Sequence, residues 1–364
     1  MNLIKKRLKL LIVGAKFGET YLNAFLFPNP EIELVGLFSK GSQRSQQLAH
    51  SFGITLYTNI DQIPKDIDIA CVVVRSTVVG GDGTALVKEL LERGIHVVQE
   101  HPVHPDDVIR LQKIATNNKC LYWINSCYIH TLAGQCWIEN AQRIRKLLDG
   151  KSPHFANFTT SRQLLYSSLD LLLQACGEND ATIGISDNEE EPFSLLYLDF
   201  SNFSAVLRLQ KYMNPKEDDF HNLVMHKLTL GWPSGYLSLE ATYGPVLWTS
   251  SLHDKNNNQN KDSLYLRCNK KGNEFLSTPI TTTLHSTSST WSEAFEINNP
   301  LGVTRVLNLL ISHLNGNDVP AAFNSHYQLS LTKLWQKILR HVGSATEYEL
   351  PEPQVIHPED LINK

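Results

Sequence analysis

Residues 8–19 read LKLLIVGAKFGE. An apolar run that ends in glycine and leads into a helix is how a dinucleotide-binding βαβ unit opens. The loop departs from the usual G-x-G-x-x-G spacing. Gly14 stands at the first glycine position and can make the tight turn. Lys16 takes the second, where the backbone approaches a pyrophosphate, and Glu19 takes the third. Gly18, after Phe17, lies one residue before that third place and can relieve helix–strand crowding. On these residues alone, an ordinary sheet-edge turn of an α/β protein is an equal alternative.

The surrounding chain supports the α/β reading. Apolar runs at IELVGLFS, IDIACVVVRST, IHVVQEHP and LYWINSCY alternate with helical patterns at ETYLNAFLF, SQRSQQLAHSFG, TALVKELLERG and HPDDVIRLQKIATNNKC. Continuous apolar strands separated by helices predict a doubly wound parallel sheet of the Rossmann type. Beyond residue 130 the pattern changes. Helices at GQCWIENAQRIRKLLDG and QLLYSSLDLLLQACG flank a strand at HFANFTTSR. Alternating stretches from FSLLYLDFSN to PVLWTSSL then follow with no helix between them. This predicts a C-terminal α+β domain with an open, mostly antiparallel sheet, one face covered by helices and one left for a partner. The runs SDNEEEP and DKNNNQNKD read as solvated loops, and two apolar helices close the domain. The expected organisation is a nucleotide-type domain over residues 1–125, an α+β domain over 126–342, and a surface tail over 343–364.

Composition narrows the function classes. Hydrophobic residues make up 42% and charged residues 19%, with a net charge of −4, so nothing points to nucleic acid as a partner. MNLIKKRLKLLIVG resembles a signal peptide in its basic start, but no small-residue cleavage site follows and it reads as a first strand. No apolar run is long enough for a bilayer, so no membrane association is expected. The 6 cysteines are scattered without C-x-x-C spacing, as expected of free thiols in a reducing cytoplasm.

Two strand ends carry chemistry. After the second strand, FSKGSQR offers Ser39, Lys40, Ser42 and Arg44 where an NAD-preferring site places a carboxylate. Hydroxyls and cations there suit a 2′-phosphate, hence NADP(H). The other reading is a solvated helix start. QEHPVHP places Glu100, His101 and His104 at the carboxyl end of a strand, where open parallel sheets bind ligands. The two histidines, separated by a proline and lacking a fitting third ligand, give no metal site.

At these residues the chain resembles the Gfo/Idh/MocA oxidoreductases, which carry E-K-P at this strand end. More narrowly, VGAKFGETYLNAF, VVRSTVVGGDGT, VVQEHPVHPDD, TTSRQLLYSSLDLLL, LGWPSGYLSLEATYGPVLWTSSL and LWQKILRHVG resemble the thiazolinyl imine reductases of siderophore assembly lines. The resemblance spans nearly the whole chain. His101 replaces the wider family's lysine. That family's second-domain acid and histidine would fall near Gln163 and Ser167 if its final aspartate is Asp170, so the acid–base pair used on polyols is missing. The resemblance implies reduction by NADPH of a thiazoline C=N to a thiazolidine. The substrate would be a thioester on a peptidyl carrier domain of a nonribosomal peptide synthetase. The open sheet face itself suggests self-association, as a homodimer or with four subunits as the alternative. Two groups could supply the proton: Tyr128, after the last strand of the first domain, ranked slightly ahead, and His101 as donor, orienter or relay. Arg75, Ser76, Thr77 and Glu100 are expected to edge the cofactor site, and His104, Arg162, Gln163 and Tyr166 to line the substrate pocket. The rivals are a non-catalytic NADP-binding sensor or scaffold and a reductase of another small carbonyl or sugar substrate.

Overall fold

A computed structural model describes residues 7–186, 191–217, 221–254, 274–286 and 289–361. The first sheet comprises β1 (Leu8–Val13), β2 (Ile32–Phe38), β3 (Thr55–Tyr57), β4 (Ile69–Val72), β5 (His96–Glu100) and β6 (Tyr122–Asn125). All pairings are parallel and the order is β3-β2-β1-β4-β5-β6. This is the doubly wound order, with its reversal point between β1 and β4. Helices α1 (Gly18–Asn23), α2 (Gln43–Ser51), α3 (Gly83–Glu92) and α4 (Pro105–Asn117) connect the strands. Pro105 opens α4 and Asp106 and Asp107 occupy its first turn, as the sequence implies.

Three local expectations change. The apolar run 67–77 contains the fourth strand and not the third, because β3 is only three residues long and has no periodic signal. The strand in that run stops at Val72, where the chain turns out of the sheet at the reversal point. Helix α1 ends at Asn23, short of Pro28, and leaves Leu26 and Phe27 exposed. The run ending in Tyr128 is strand only to Asn125, and a 3-10 turn over Cys127–His130 follows.

The second sheet has eight strands: β7 (Phe155–Thr160), β8 (Thr182–Ser186), β9 (Phe193–Asp199), β10 (Ser204–Gln210), β12 (His226–Trp232), β13 (Gly235–Leu239), β14 (Val246–Ser250) and β15 (Thr281–His285). A separate two-stranded ladder joins β11 (Tyr212–Met213) to β16 (Thr346–Glu347) in the tail. The eight-stranded sheet is antiparallel except where β10 runs parallel to β7. One face packs on α5 (Leu132–Leu147) and α6 (Leu165–Cys176) around Trp137, Leu169 and Leu230. The other face leaves Phe155, Tyr197 and Tyr236 exposed. Most of SDNEEEP and DKNNNQNKD lies outside the described residues, as does Cys268. The other cysteines are free thiols.

The last two long helices, α7 (Asn299–Leu314) and α8 (Ser325–Val342), tie the halves together. In α7, Val303, Val306, Leu307 and Leu310 join one core with Leu10, Ile12, Tyr21 and Trp123 of the first sheet. Helix α7 therefore packs against the first sheet. From α8, Gln328 accepts from Ile124 N at 3.2 Å and donates to Ile124 O at 2.7 Å. Its amide takes the place of a further strand on the edge strand β6, satisfying two buried backbone groups. Among the described residues, no helix is long and apolar enough to cross a membrane.

Candidate active site

Strands β1, β4, β5 and β6 end on one side of the first sheet. The turn after β1 requires glycine at position 14. Its φ is +113°, and a Cβ there would lie 2.7 Å from Val73 O. Phe17 is half-buried and leads into α1, while Lys16 is exposed. Gly18 is less constrained, since an added Cβ would meet Ile12 Cγ2 at an ordinary 3.4 Å. After β4 the chain folds into a compact loop. Gly83 N donates to Arg75 O at 2.9 Å, Gly81 N donates to Ser76 O at 3.0 Å, and Thr77 N donates to Thr84 Oγ1 at 3.2 Å. Arg75 and Thr77 are exposed on this loop, whereas Ser76 is buried and its hydroxyl donates to Pro102 O. Cβ atoms at Gly81 and Gly83 would come within 2.1 Å of Arg75 O and 2.2 Å of Val74 O. This glycine-dependent loop went unread in the sequence, although its closely spaced glycines were the available signal.

At the end of β2, Ser39 Oγ accepts from Gly41 N at 3.2 Å, and Ser42 caps α2 by accepting from Ser45 N at 3.3 Å. Arg44 pairs with Glu19, and Lys40 Nζ lies 3.3 Å from Asp82 Oδ2. Both ion pairs are exposed, so each contributes little and can be exchanged for another anion.

The densest polar cluster forms where β5 and β6 end. The Asn125 carbonyl lies 3.1 Å from His101 N and 3.0 Å from His101 Nδ1. Glu100 Oε1 is 3.1 Å from the same Nδ1. Two oxygens at Nδ1 place a proton there and leave Nε2 as the nitrogen for chemistry. Glu100 also accepts from the Tyr21 hydroxyl, which accepts in turn from Asn125 Nδ2. The peptide bond between His101 and Pro102 is cis. Tyr166, on α6, stacks on the imidazole at 4.9 Å between centroids with planes 27° apart. Tyr128, in the 3-10 turn after β6, is buried and packs at 4.8 Å on His226 from β12.

Asp170 lies one helical turn beyond Tyr166, is fully enclosed, and accepts from Tyr327 Oη at 2.6 Å. Burial raises its carboxyl to about 7, against the lowering effects of the Tyr327 hydrogen bond, His101 and Ser126. Burial also raises the phenols of Tyr21 and Tyr166.

The structure thus brings His101, Glu100, Tyr166 and Tyr128 together around the carboxyl ends of β5 and β6. It does not bring His104 or Arg162 there. His104 Nδ1 accepts from Asp106 N at 3.2 Å and caps α4, while its Nε2 meets Gln336 of α8. Arg162 donates to Gly343 O and anchors the start of the tail. Gln163 is half-buried in the bend before α6. Sequence reasoning missed Tyr21, Asn125, His226 and Tyr327. Asn125, a polar residue closing an apolar strand, was the one with a local signal.

This arrangement suits a nicotinamide dinucleotide. The Gly14 turn sits at the reversal point of the sheet. Asn125 Oδ1 is a buried acceptor with no protein partner, fitted to a carboxamide N–H. Such a cofactor would be held by the Gly14 turn, the strand end at Ser39–Arg44 and the loop after β4.

The comparisons agree. Residues 8–126 match the family described as "Oxidoreductase family, NAD-binding Rossmann fold". The fold is shared with an oxidoreductase from Agrobacterium radiobacter in complex with NAD+, L-tartaric acid and magnesium, at 12% identity and TM-score 0.65, covering 91% of this chain and 95% of that one. It is shared also with biliverdin reductase from Synechocystis sp. PCC 6803 in complex with biliverdin and NADP+, at 14% identity and TM-score 0.60, covering 92% and 98%. None of the curated proteins matches this sequence. The chain is an oxidoreductase of the Gfo/Idh/MocA family with a nicotinamide-binding Rossmann domain. Residues 151–249 match the family model described as "Thiazolinyl imine reductase Irp3-like, C-terminal".

A folded-state pKa near 7 against an ordinary carboxyl value of 3.8 means that the folded protein holds the Asp170 proton more tightly than the unfolded chain. That contribution to stability is present below about pH 4 and is lost as pH rises through 7. Asp170→Asn, which keeps an acceptor for Tyr327, should therefore gain in thermal midpoint relative to wild type across that interval. A difference that stays constant with pH would show that Asp170 is ionised throughout.

Proposed function

We propose that this protein uses NADPH to reduce a thiazoline C=N to a thiazolidine, the substrate being a thioester on a peptidyl carrier domain of a nonribosomal peptide synthetase making a siderophore. The observation that carries this reading is the match over residues 151–249. That segment includes α6 and β12, which set Tyr166, Asp170 and His226 around His101 and Tyr128.

A bound nicotinamide supplies the hydride. The chain's own residues hold the imine in place and present a proton to its nitrogen. Tyr128 is the first donor: a phenol is a weak acid, but an imine nitrogen becomes strongly basic as its carbon is reduced. His101 has its Nδ1 held by Asn125 O and Glu100, so Nε2 can carry or relay the proton. The arrangement asks for no second acid–base pair, consistent with Ser167 and Gln163 where a polyol dehydrogenase would need one.

Lys40 and Arg44 support NADPH over NADH, since a 2′-phosphate can replace Asp82 and Glu19 as their partner. The exposed apolar residues on the free face of the eight-stranded sheet support pairing of two copies through it.

Tyr128→Phe and His101→Ala should remain folded, bind NADPH, and lose turnover of a synthetic thiazolinyl thioester by about 10²-fold or more. Wild-type rates in both would remove the proton assignments. For the cofactor, Lys40→Ala with Arg44→Ala should lower kcat/KM for NADPH by roughly tenfold or more and leave NADH little changed. Equal losses for the two cofactors would mean that neither cation meets the 2′-phosphate. Sedimentation should find a dimer that Tyr197→Glu with Tyr236→Glu turns into a monomer; a dimer that survives this pair of charges would place the contact elsewhere.

A further inference from the structure

His226 opens β12 and is buried, and the proton-transfer scheme above makes no use of it. Its Nε2 lies 2.7 Å from Ser167 Oγ and its Nδ1 3.0 Å from Thr242 Oγ1. Ser167 Oγ also donates to Leu164 O at 3.0 Å. A hydroxyl has one proton to give. With that proton on Leu164 O, Nε2–H must be the donor in the bond between His226 and Ser167. Nδ1 is then an acceptor, and the Thr242 hydroxyl donates to it. The ring is fixed in one neutral tautomer with both nitrogens committed. Burial, and next the neighbouring His101, push its pKa down to about 3.

A ring held this way is not poised to exchange protons, but it has a well-defined face. Tyr128 lies on it, with centroids 4.8 Å apart and planes tilted by 52°. Tyr128 itself sits in the 3-10 turn that follows β6. Three elements meet here: α6 gives Ser167, β12 gives His226, and the bend after β13 gives Thr242. Each partner of the imidazole is a buried side chain, and a buried, fully satisfied chain of this kind is rigid.

We propose that Thr242, His226 and Ser167 form a positioning unit that holds the Tyr128 ring in the cleft, so that His226 acts on the reaction through Tyr128. The kinetic half of this proposal rests on the imine-reductase reading; the geometric half does not.

The geometric half is tested on the full chain by nuclear magnetic resonance. With ¹⁵N-labelled histidine, the ring whose signals vanish in His226→Gln should remain neutral and protonated at Nε2 from about pH 8 to about pH 5. With tyrosine labelled at Cζ, the Tyr128 signal, assigned through Tyr128→Phe, should move in His226→Phe and return towards wild type in His226→Gln, whose amide can donate in place of Nε2. A His226 ring that titrates within that range, the opposite tautomer, or an unmoved Tyr128 signal would overturn the proposal. In turnover, His226→Phe should lower kcat roughly ten- to a hundredfold with KM for NADPH unchanged, and His226→Gln should recover most of the loss. In a Tyr128→Phe background, His226→Phe should cost nothing further. Additive losses would mean that His226 acts independently of Tyr128. Should His226→Phe fail to fold, Thr242→Val enters the same cycle with a smaller loss. Absence of any thiazoline turnover in the wild type would count against the substrate alone, and the spectra would still decide the positioning.

Discussion

The carbonyl of Asn125 is the constraint on which the site depends. It accepts from both the backbone and the ring of His101, while its own side chain donates to Tyr21. Because Glu100 and Asn125 stand opposite each other in the β5–β6 ladder, the position of His101 follows from strand pairing. The ladder is closed from outside by Gln328, so even its edge has no freedom to fray. A site built on paired strands holds its geometry better than one built on a loop. The hydrogen bonds to charged groups in this cluster are each worth about 1.5–3 kcal/mol, and removing one partner leaves the other buried and unsatisfied.

The electrostatics around that anchor favour neutral groups. Burial raises the carboxyl of Asp170 and the phenols of Tyr21 and Tyr166, and it lowers the imidazole of His226. All four shifts have the same physical origin, the cost of a charge away from water. Glu100 is held among these groups by direct contacts with Tyr21 and His101.

Much of this was legible in the sequence because strands and their ends leave local signals. The apolar runs located β1, β2, β4, β5 and β6, and the strand-end rule picked out His101 and Glu100. What was not legible depends on contacts between distant parts of the chain. Tyr327 reaches Asp170 across 157 positions, and Gln328 reaches Ile124 across 204. No periodicity encodes either contact. His104 shows the opposite error. A histidine three residues from His101 reads as a site residue, yet His104 caps the start of α4. Ser76, also read as a site residue, spends its hydroxyl on Pro102 O and holds the two strand-end loops together.

The loop LKLLIVGAKFGE shows why a broken fingerprint can still serve. The three glycines of the usual pattern answer three different demands, and only the first is rigid here. Gly14 adopts a φ that side chains avoid, and it lies against Val73 O at the reversal point of the sheet, so any other residue would push β1 and β4 apart. At Gly18 the packing of helix on strand leaves room for a methyl group. Lys16 projects into solvent, so its side chain does not fill the turn. Once the first glycine has fixed the approach of the two strands, the remaining positions are free to carry charge. Lys16 is exposed there, and Glu19 pairs with Arg44 from the start of α2.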